Sequence, residues 1–275
     1  MAGMTCIVTG ATAGIGEALA RGLAERHASL ALVGRDEERL ARVSKECEER
    51  GAPVVHTFRC DFAVLDQVRE LSVSLLEDLP RIDVLVNNAG LVVQRRQETA
   101  DGHELVFAVN QLAPYLLTRL LLDRLVASAP ARIVWTASDA HEFGPLQPED
   151  YMSTGGYRPL KAYGRSKLAN ILTTAELARR LEGTGVTANS FHPGFVSTSL
   201  ARDHPLGTPF LKLIRPFIRS AAQGADTGIH LAADDIAENG QYFYKRKVHG
   251  TKNDALDPVL GARLWDDCAA LVGLS

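Results

Sequence analysis

Tyr163 and Lys167 stand four residues apart in "YGRSK", residues 163–167. On a helix, two side chains at that spacing share one face. A phenol with an ordinary pKa of about 10 gives up its proton reluctantly near neutrality. A neighbouring ammonium favours the phenolate and lowers that pKa. The pair is therefore equipped to act as a tuned proton donor. The same spacing also suits an exposed tyrosine and lysine on a solvated helix, and alone it does not separate the two. Ser138 closes the apolar run "ARIVWTAS" (131–138). A hydroxyl at the end of a parallel strand sits where open α/β sheets place ligands; it equally suits a strand-end cap.

A second constellation is "TGATAGIG", residues 9–16, with Gly10, Gly14 and Gly16 where an apolar run gives way to a helical pattern. Glycines there permit a tight turn and close approach of backbone to a pyrophosphate, and the following helix N-terminus offers free N–H groups. The spacing is G-x-x-x-G-x-G rather than the commoner G-x-G-x-x-G. A purely structural turn is the alternative. The second apolar run ends at Gly34, with Arg35 next. An acidic residue at that place suits the ribose of NAD, whereas an arginine suits the 2′-phosphate of NADP. NADP(H) is therefore expected ahead of NAD(H). Asp36, one residue on, suits a helix N-cap.

These residues need elements to position them, and the chain supplies an alternation. Short apolar runs at 5–10, 29–34, 53–60, 82–88, 131–138, 186–192 and 240–244 read as strands. Helical patterns at 17–27, 36–50, 64–79, 103–127, 161–182 and 258–271 lie between and after them. Strands apolar throughout are covered on both faces. Strand–helix alternation with short links predicts right-handed crossovers. The expected fold is α/β, a Rossmann-type doubly wound parallel sheet with helices on both faces. No linker or repeat divides the chain, so a single domain over 1–275 is expected. Two stretches break the rhythm, 139–160 and 198–222, and long irregular excursions in a compact domain are usually functional.

Composition narrows the class. The 275 residues are 46% hydrophobic and 23% charged, with a formal net charge of −3. That is an ordinary globular balance without the basic excess of a nucleic-acid or anionic-membrane surface. The cysteines at 6, 47, 60 and 268 have no metal-ligand spacing, so no metal site is expected. The start "MAGMTCIVTG" lacks the features of a secretory signal. Arg119, Asp123 and Arg124 interrupt the richest apolar stretch, which reads as a buried helix. A cytoplasmic protein without a membrane association is expected.

The ordered set "TGATAGIG" (9–16), "CDF" (60–62), "NNAG" (87–90), "VNQ" around Asn110, Ser138, "YGRSK" and "HPGFVST" (192–198) resembles the short-chain dehydrogenase/reductase family, in its single-domain branch. "SKLANILTTAELARRL" and the long stretch before Tyr163 look most like the retinol-dehydrogenase-like subgroup, without its membrane anchor. The resemblance implies an oxidoreductase that moves a hydride between nicotinamide and a carbonyl or alcohol. It implies a catalytic set of Asn110, Ser138, Tyr163 and Lys167. Lys167 would also hold the nicotinamide ribose, and Asn110 a water leading from Lys167 to solvent. The turn residues Gly10, Thr12, Gly14, Ile15 and Gly16 would hold the cofactor, with Arg35. Asp61 and Phe62 would meet the adenine. Asn88, Ala89 and Gly90 would line the cleft. Pro193, Gly194, Val196 and Thr198 would hold the nicotinamide end. Family members often pair through the helices after Asn110 and Tyr163, so a homodimer or homotetramer is an expectation.

The substrate side is expected in the two excursions. Between Ser138 and Tyr163 lie 24 residues, in which Phe143 and Tyr157 are candidate pocket walls and His141 a candidate substrate contact. His192 reads as a packed strand-end residue. Phe210 opens "FLKLIRPFIRS" (210–220), whose apolar spacing suits a lid over an apolar ligand; ordinary packing is the alternative. The expected substrate is a bulky, mainly apolar carbonyl or alcohol, with reduction favoured. The rivals are a catalytically silent dinucleotide-binding regulator on the same fold, and a family member running double-bond reduction or rearrangement.

Overall fold

The computed structural model describes residues 1–195, 219–251 and 253–274. Eight strands form one sheet in the order β3-β2-β1-β4-β5-β6-β7-β8. They are β1 (Thr5–Thr9), β2 (Ser29–Gly34), β3 (Val55–Arg59), β4 (Val84–Asn87), β5 (Ala131–Thr136), β6 (Val186–Phe191), β7 (Tyr242–Tyr244) and β8 (Lys247–Val248). The first seven run parallel, and β8 returns antiparallel on β7. Along β1, Ile7 faces one core while Cys6 and Val8 face the other. That period of two, with both faces buried, explains why Cys6, Ile7 and Val8 are apolar in succession.

On the Ile7 face lie α3 (Leu65–Asp78), α5 (Ala113–Ala127), α6 (Pro159–Arg180) and α8 (Pro258–Leu271). On the other lie α1 (Gly14–Ala24), α2 (Glu37–Glu49) and α7 (Ala221–Ala233). The expected doubly wound architecture is thus present. The helix expected over 103–127 is more varied: a short α4 (Leu105–Phe107) opens into a π turn at Ala108–Leu112, then continues as α5. The run Leu105–Ala127 is long and apolar enough to cross a membrane by length and composition alone, but 78% of its most apolar window is buried inside the fold. It is a core helix, as the interrupting charges predicted.

Helix α7 and strand β8 are additions to the elements expected above, whereas β7 falls in the strand expected over 240–244. Helix α7 is built largely of small residues, and Gly228 sits so close to the sheet that a Cβ there would lie 2.7 Å from the Phe191 ring. Its close packing rests on missing side chains rather than on an apolar stripe. The β7–β8 hairpin turns on Lys245 and Arg246, both at positive φ. This is the geometry usually marked by Asn-Gly, and Lys-Arg carries no such mark. Helix α8 lies over α5 and α6: the Tyr115 hydroxyl donates to the Trp265 carbonyl at 2.9 Å, with the two rings edge to face.

Candidate active site

The carboxyl ends of β1, β4 and β5 converge on a cleft of about 270 Å³. Its first wall is the turn after β1. Gly10 and Gly14 adopt φ of +67° and +58°, which favour glycine. At Gly16 a Cβ would lie 2.1 Å from the Gly10 carbonyl oxygen, so only a bare backbone fits. Thr12, Ile15 and the three glycines all line the cleft. Helix α1 starts from Ala13, whose side chain makes no cap. Its first N–H groups therefore have no side-chain acceptor and form a ready anion site. These features fit a dinucleotide pyrophosphate.

Asn88 ties this wall to its neighbours. Its Nδ2 donates to the Thr9 carbonyl at 3.0 Å, while its Oδ1 accepts from the Thr136 hydroxyl at 3.2 Å. The ends of β1, β4 and β5 are thereby fixed against one another. Ala89 and Gly90 continue the lining, and Gly90 packs against Asn110.

At the far end, Arg35 lines the cleft together with Arg39, a residue the sequence reading did not single out. Asp36 turns away: its carboxylate caps α2 by accepting from the Arg39 N–H at 3.0 Å, and it pairs with the Arg39 side chain at 3.1 Å. Asp61 and Phe62 form the adjoining wall. The Asp61 carboxylate accepts from the Ala63 N–H at 3.0 Å, which steadies the turn after β3.

At the other end stand Tyr163 and Lys167, both lining the cleft. The Tyr163 and Ser138 hydroxyls are hydrogen-bonded. Ser138 also accepts from the Ala140 N–H at 3.1 Å, so it is a cap and a partner of the phenol at once. Lys167 Nζ lies 5.6 Å from the Tyr163 ring centroid. It donates to the Thr136 carbonyl at 2.8 Å and to Asn170 Oδ1 at 3.2 Å. Burial dominates both ionisations: it lowers the ammonium to about 7 and raises the phenol to about 12. The tuning expected from the spacing, a phenol lowered by its ammonium, is therefore not present in these residues alone. Desolvation acts against both charged forms, and no carboxylate among the described residues pairs with Lys167.

Asn110 sits in the π turn with its carboxamide fully used. It accepts from the Leu91 N–H at 2.8 Å and donates to the Leu91 carbonyl and to Ser166 Oγ, each at 3.0 Å. Its backbone carbonyl accepts from Asn170 Nδ2 at 2.8 Å. The protein link from Asn110 to Lys167 thus runs through Asn170.

The chain is similar to known proteins. The short chain dehydrogenase family model matches residues 4–206. The chain belongs to the short-chain dehydrogenase/reductase family. Human retinol dehydrogenase 14 is 39% identical over 100% of this chain and 88% of its own length. A Streptomyces sp. (strain C5) protein provisionally named daunorubicin C-13 ketoreductase DnrU is 43% identical over 98% of this chain and 93% of its own. Among solved structures, a functionally uncharacterised Mycobacterium paratuberculosis protein covers all of this chain and 95% of its own, with TM-score 0.82 and 31% identity. The Pseudomonas aeruginosa RhlG/NADP complex matches with TM-score 0.73 at 25% identity, over 88% of this chain and 94% of its own. The retinol-dehydrogenase-like resemblance is thereby upheld. Such an oxidoreductase binds a nicotinamide dinucleotide and acts on an alcohol/carbonyl pair.

The remaining family positions are less uniform. Pro193 lines the cleft, and Gly194 adopts φ of +84° beside Arg219. Val196, Thr198, Phe210 and the lid expected over 210–220, up to 218, lie outside the described residues. His141 does not line the cleft. It is 1% exposed, its Nδ1 lies 2.8 Å from the Ser138 carbonyl, and its ring stands edge-on to Tyr242. Phe143 is 57% exposed and does not line the cleft. Tyr157 does not line it either; its hydroxyl donates to the Val93 carbonyl at 2.8 Å and fastens the 139–160 stretch to the chain after β4. His192 is packed, as expected. Its Nε2 lies 3.2 Å from Asp139 Oδ2, and burial lowers it to about 4, so the ring is neutral.

That stretch has an internal anchor. Arg165, two residues along α6 from Tyr163, is 6% exposed. Its guanidinium donates to the Asp150 carbonyl, to Ser153 Oγ at 3.2 Å and to Gln147 Oε1 at 3.0 Å. Nothing in the sequence marked it, because its acceptors lie 12 to 18 residues away.

Proposed function

We propose that this protein is an NADP(H)-dependent carbonyl reductase for a bulky, mainly apolar ketone or aldehyde, the alcohol being the product. The observation that carries the reading is the polarity of the cleft. One end gathers Ser138, Tyr163 and Lys167, and the other presents Arg35 and Arg39. Two guanidinium groups with the nearby carboxylate committed to a helix cap suit a 2′-phosphate better than a bare ribose. The names of the relatives, retinol dehydrogenases and a daunorubicin ketoreductase, favour a large substrate with extensive apolar surface.

When bound, the nicotinamide supplies the hydride. The carbonyl oxygen gains negative charge and needs a proton, which the Tyr163 hydroxyl gives. Ser138 holds that oxygen beside the phenol. Lys167 has three N–H groups, of which the Thr136 carbonyl and Asn170 hold two. The third is left for the cleft and the ribose. Cytoplasmic residence belongs to this reading. A homodimer or homotetramer through α5 and α6 would have to accommodate α8, which covers part of their outer faces.

Tyr163→Phe tests the reading. Turnover should fall by about 10²–10⁴-fold, the usual worth of acid–base catalysis, with NADPH binding retained. Unchanged turnover would remove Tyr163 from the chemistry. An active wild type giving a saturated-bond or rearranged product would assign the site to another reaction. A wild type that binds NADPH but turns over no ketone, aldehyde or alcohol would favour a regulator.

A further inference from the structure

We infer that Asn170 is a positioning residue for Lys167: its carboxamide couples the π turn at Asn110 to the ammonium and keeps that ammonium protonated and aimed at the cleft. The inference rests on the reading of Tyr163 and Lys167 as the reactive pair.

Asn170 is 1% exposed, and both ends of its carboxamide are used. Oδ1 accepts from Lys167 Nζ at 3.2 Å. Nδ2 donates to the Asn110 carbonyl at 2.8 Å and to Gln111 Oε1 at 2.9 Å. Gln111 is itself held, its Nε2 donating to Thr173 Oγ1 at 2.7 Å. The two donor bonds fix which end of the carboxamide faces Lys167. Were it reversed, an NH₂ would meet the ammonium and an oxygen would meet the Asn110 carbonyl. The network therefore presents an acceptor to Lys167 and forbids the alternative.

Lys167 needs such acceptors because its surroundings oppose its charge. The groups that face it are the Thr136 carbonyl from β5, the Tyr163 ring and Asn170 from α6, and the Gly90 backbone after β4. Of these only Tyr163 titrates, and no charged side chain among the described residues reaches the ammonium. Two neutral acceptors are what remain to stabilise the proton. Spacing adds to this: Lys167 and Asn170, three apart on α6, present to the same side. Residue 167 reaches β5 while residue 170 reaches the π turn, so one helix face closes the floor between them.

The test compares Asn170→Leu and Asn170→Asp with the wild type, using NADPH and any ketone the wild type reduces. Asn170→Leu removes an acceptor. The alkaline limb of the kcat profile should move to lower pH by about one unit, the worth of one charge-assisted hydrogen bond, and kcat at pH 7 should fall about fivefold. Asn170→Asp offers a carboxylate and should move the same limb to higher pH. Opposite displacements cannot arise from a general loss of structure. Gln111→Leu frees the carboxamide without removing it and should give a smaller shift in the direction of Asn170→Leu; it serves if Asn170→Leu does not fold. Limbs coincident with wild type, or displaced the same way in the Leu and Asp variants, would overturn the positioning role. If Tyr163→Phe is inactive while these limbs do not move, the reactive pair stands and only the role of Asn170 fails.

Discussion

Gly164 on α6 lies against Gly144 at the end of the turn after Ser138: a Cβ at 164 would sit 2.8 Å from the Gly144 nitrogen and 2.3 Å from the Ala140 carbonyl oxygen. The obstacles are backbone atoms, which cannot swing aside. This contact sets how closely the Ser138 turn docks beside Tyr163. Gly164→Ala should push the turn away, cost about 1–3 kcal/mol through overpacking and lower kcat about 100-fold through a displacement of about 1 Å. NADPH affinity should change little, because the glycine turn after β1 is built elsewhere. Thermal melts, kinetics and nucleotide titration give the three values; a kcat near wild type would show that the contact does not position Ser138.

The pH dependence follows from Lys167. Its ammonium titrates at about 7, against an ordinary 10.5. The charged form is present below that pH and lost above it. Reductive kcat should therefore fall as pH rises through about 7, while Tyr163, pushed up to about 12, keeps its proton. Stability has the other sign. Between about 7 and 10.5 the unfolded chain holds a proton that the folded chain has released, so this residue makes stability rise with pH across that interval. Lys167→Met should flatten that component of the slope. Denaturant titrations at several pH values measure it, and an identical slope in the variant would contradict the assignment.

Cofactor selection should divide between two arginines. Arg35→Ala should weaken NADPH by about 10- to 100-fold, the range for losing a charge-assisted bond, and weaken NADH much less. Arg39→Ala should act in the same direction but more weakly, because its side chain is shared with Asp36. Equal losses for the two nucleotides would take the 2′-phosphate away from both residues.

Arg165 should govern the stretch before Tyr163. Arg165→Met leaves the Asp150 carbonyl, Ser153 and Gln147 without their donor. A cost of about 1–3 kcal/mol is expected from stranding Ser153, the buried residue of the three, with new protease cleavage between 144 and 157. KM should rise more than kcat falls. Arg165→Lys should not restore it, since one ammonium cannot reproduce the guanidinium fork. Wild-type protease resistance in Arg165→Met would exclude the anchoring role.

What could be read beforehand depended on whether the cause was local. Gly10, Gly14 and Gly16 were legible because their conformations and close approaches are properties of single positions. The Asp36 cap and the order of strands and helices were legible for the same reason. Asn170 was not, because its importance arises only where α6 meets a π turn 60 residues earlier in the chain. The opposite shifts of Tyr163 and Lys167 come from burial, which spacing does not reveal. The directions of His141 and Phe143 were not legible, because proximity in sequence to Ser138 does not fix a direction: one side chain turns into the core and the other to solvent.

The Asn88 junction and the Arg165 anchor divide the molecule's tolerance for change. Asn88 holds three strand ends, so a substitution there disturbs chemistry and architecture together. Arg165 instead grips the stretch before Tyr163 through one backbone carbonyl and two side chains, those of Ser153 and Gln147. Side chains of that stretch other than Ser153 and Gln147 can be exchanged without removing an acceptor of Arg165. A lineage of such chains can therefore vary this stretch while inheriting its reactive floor intact.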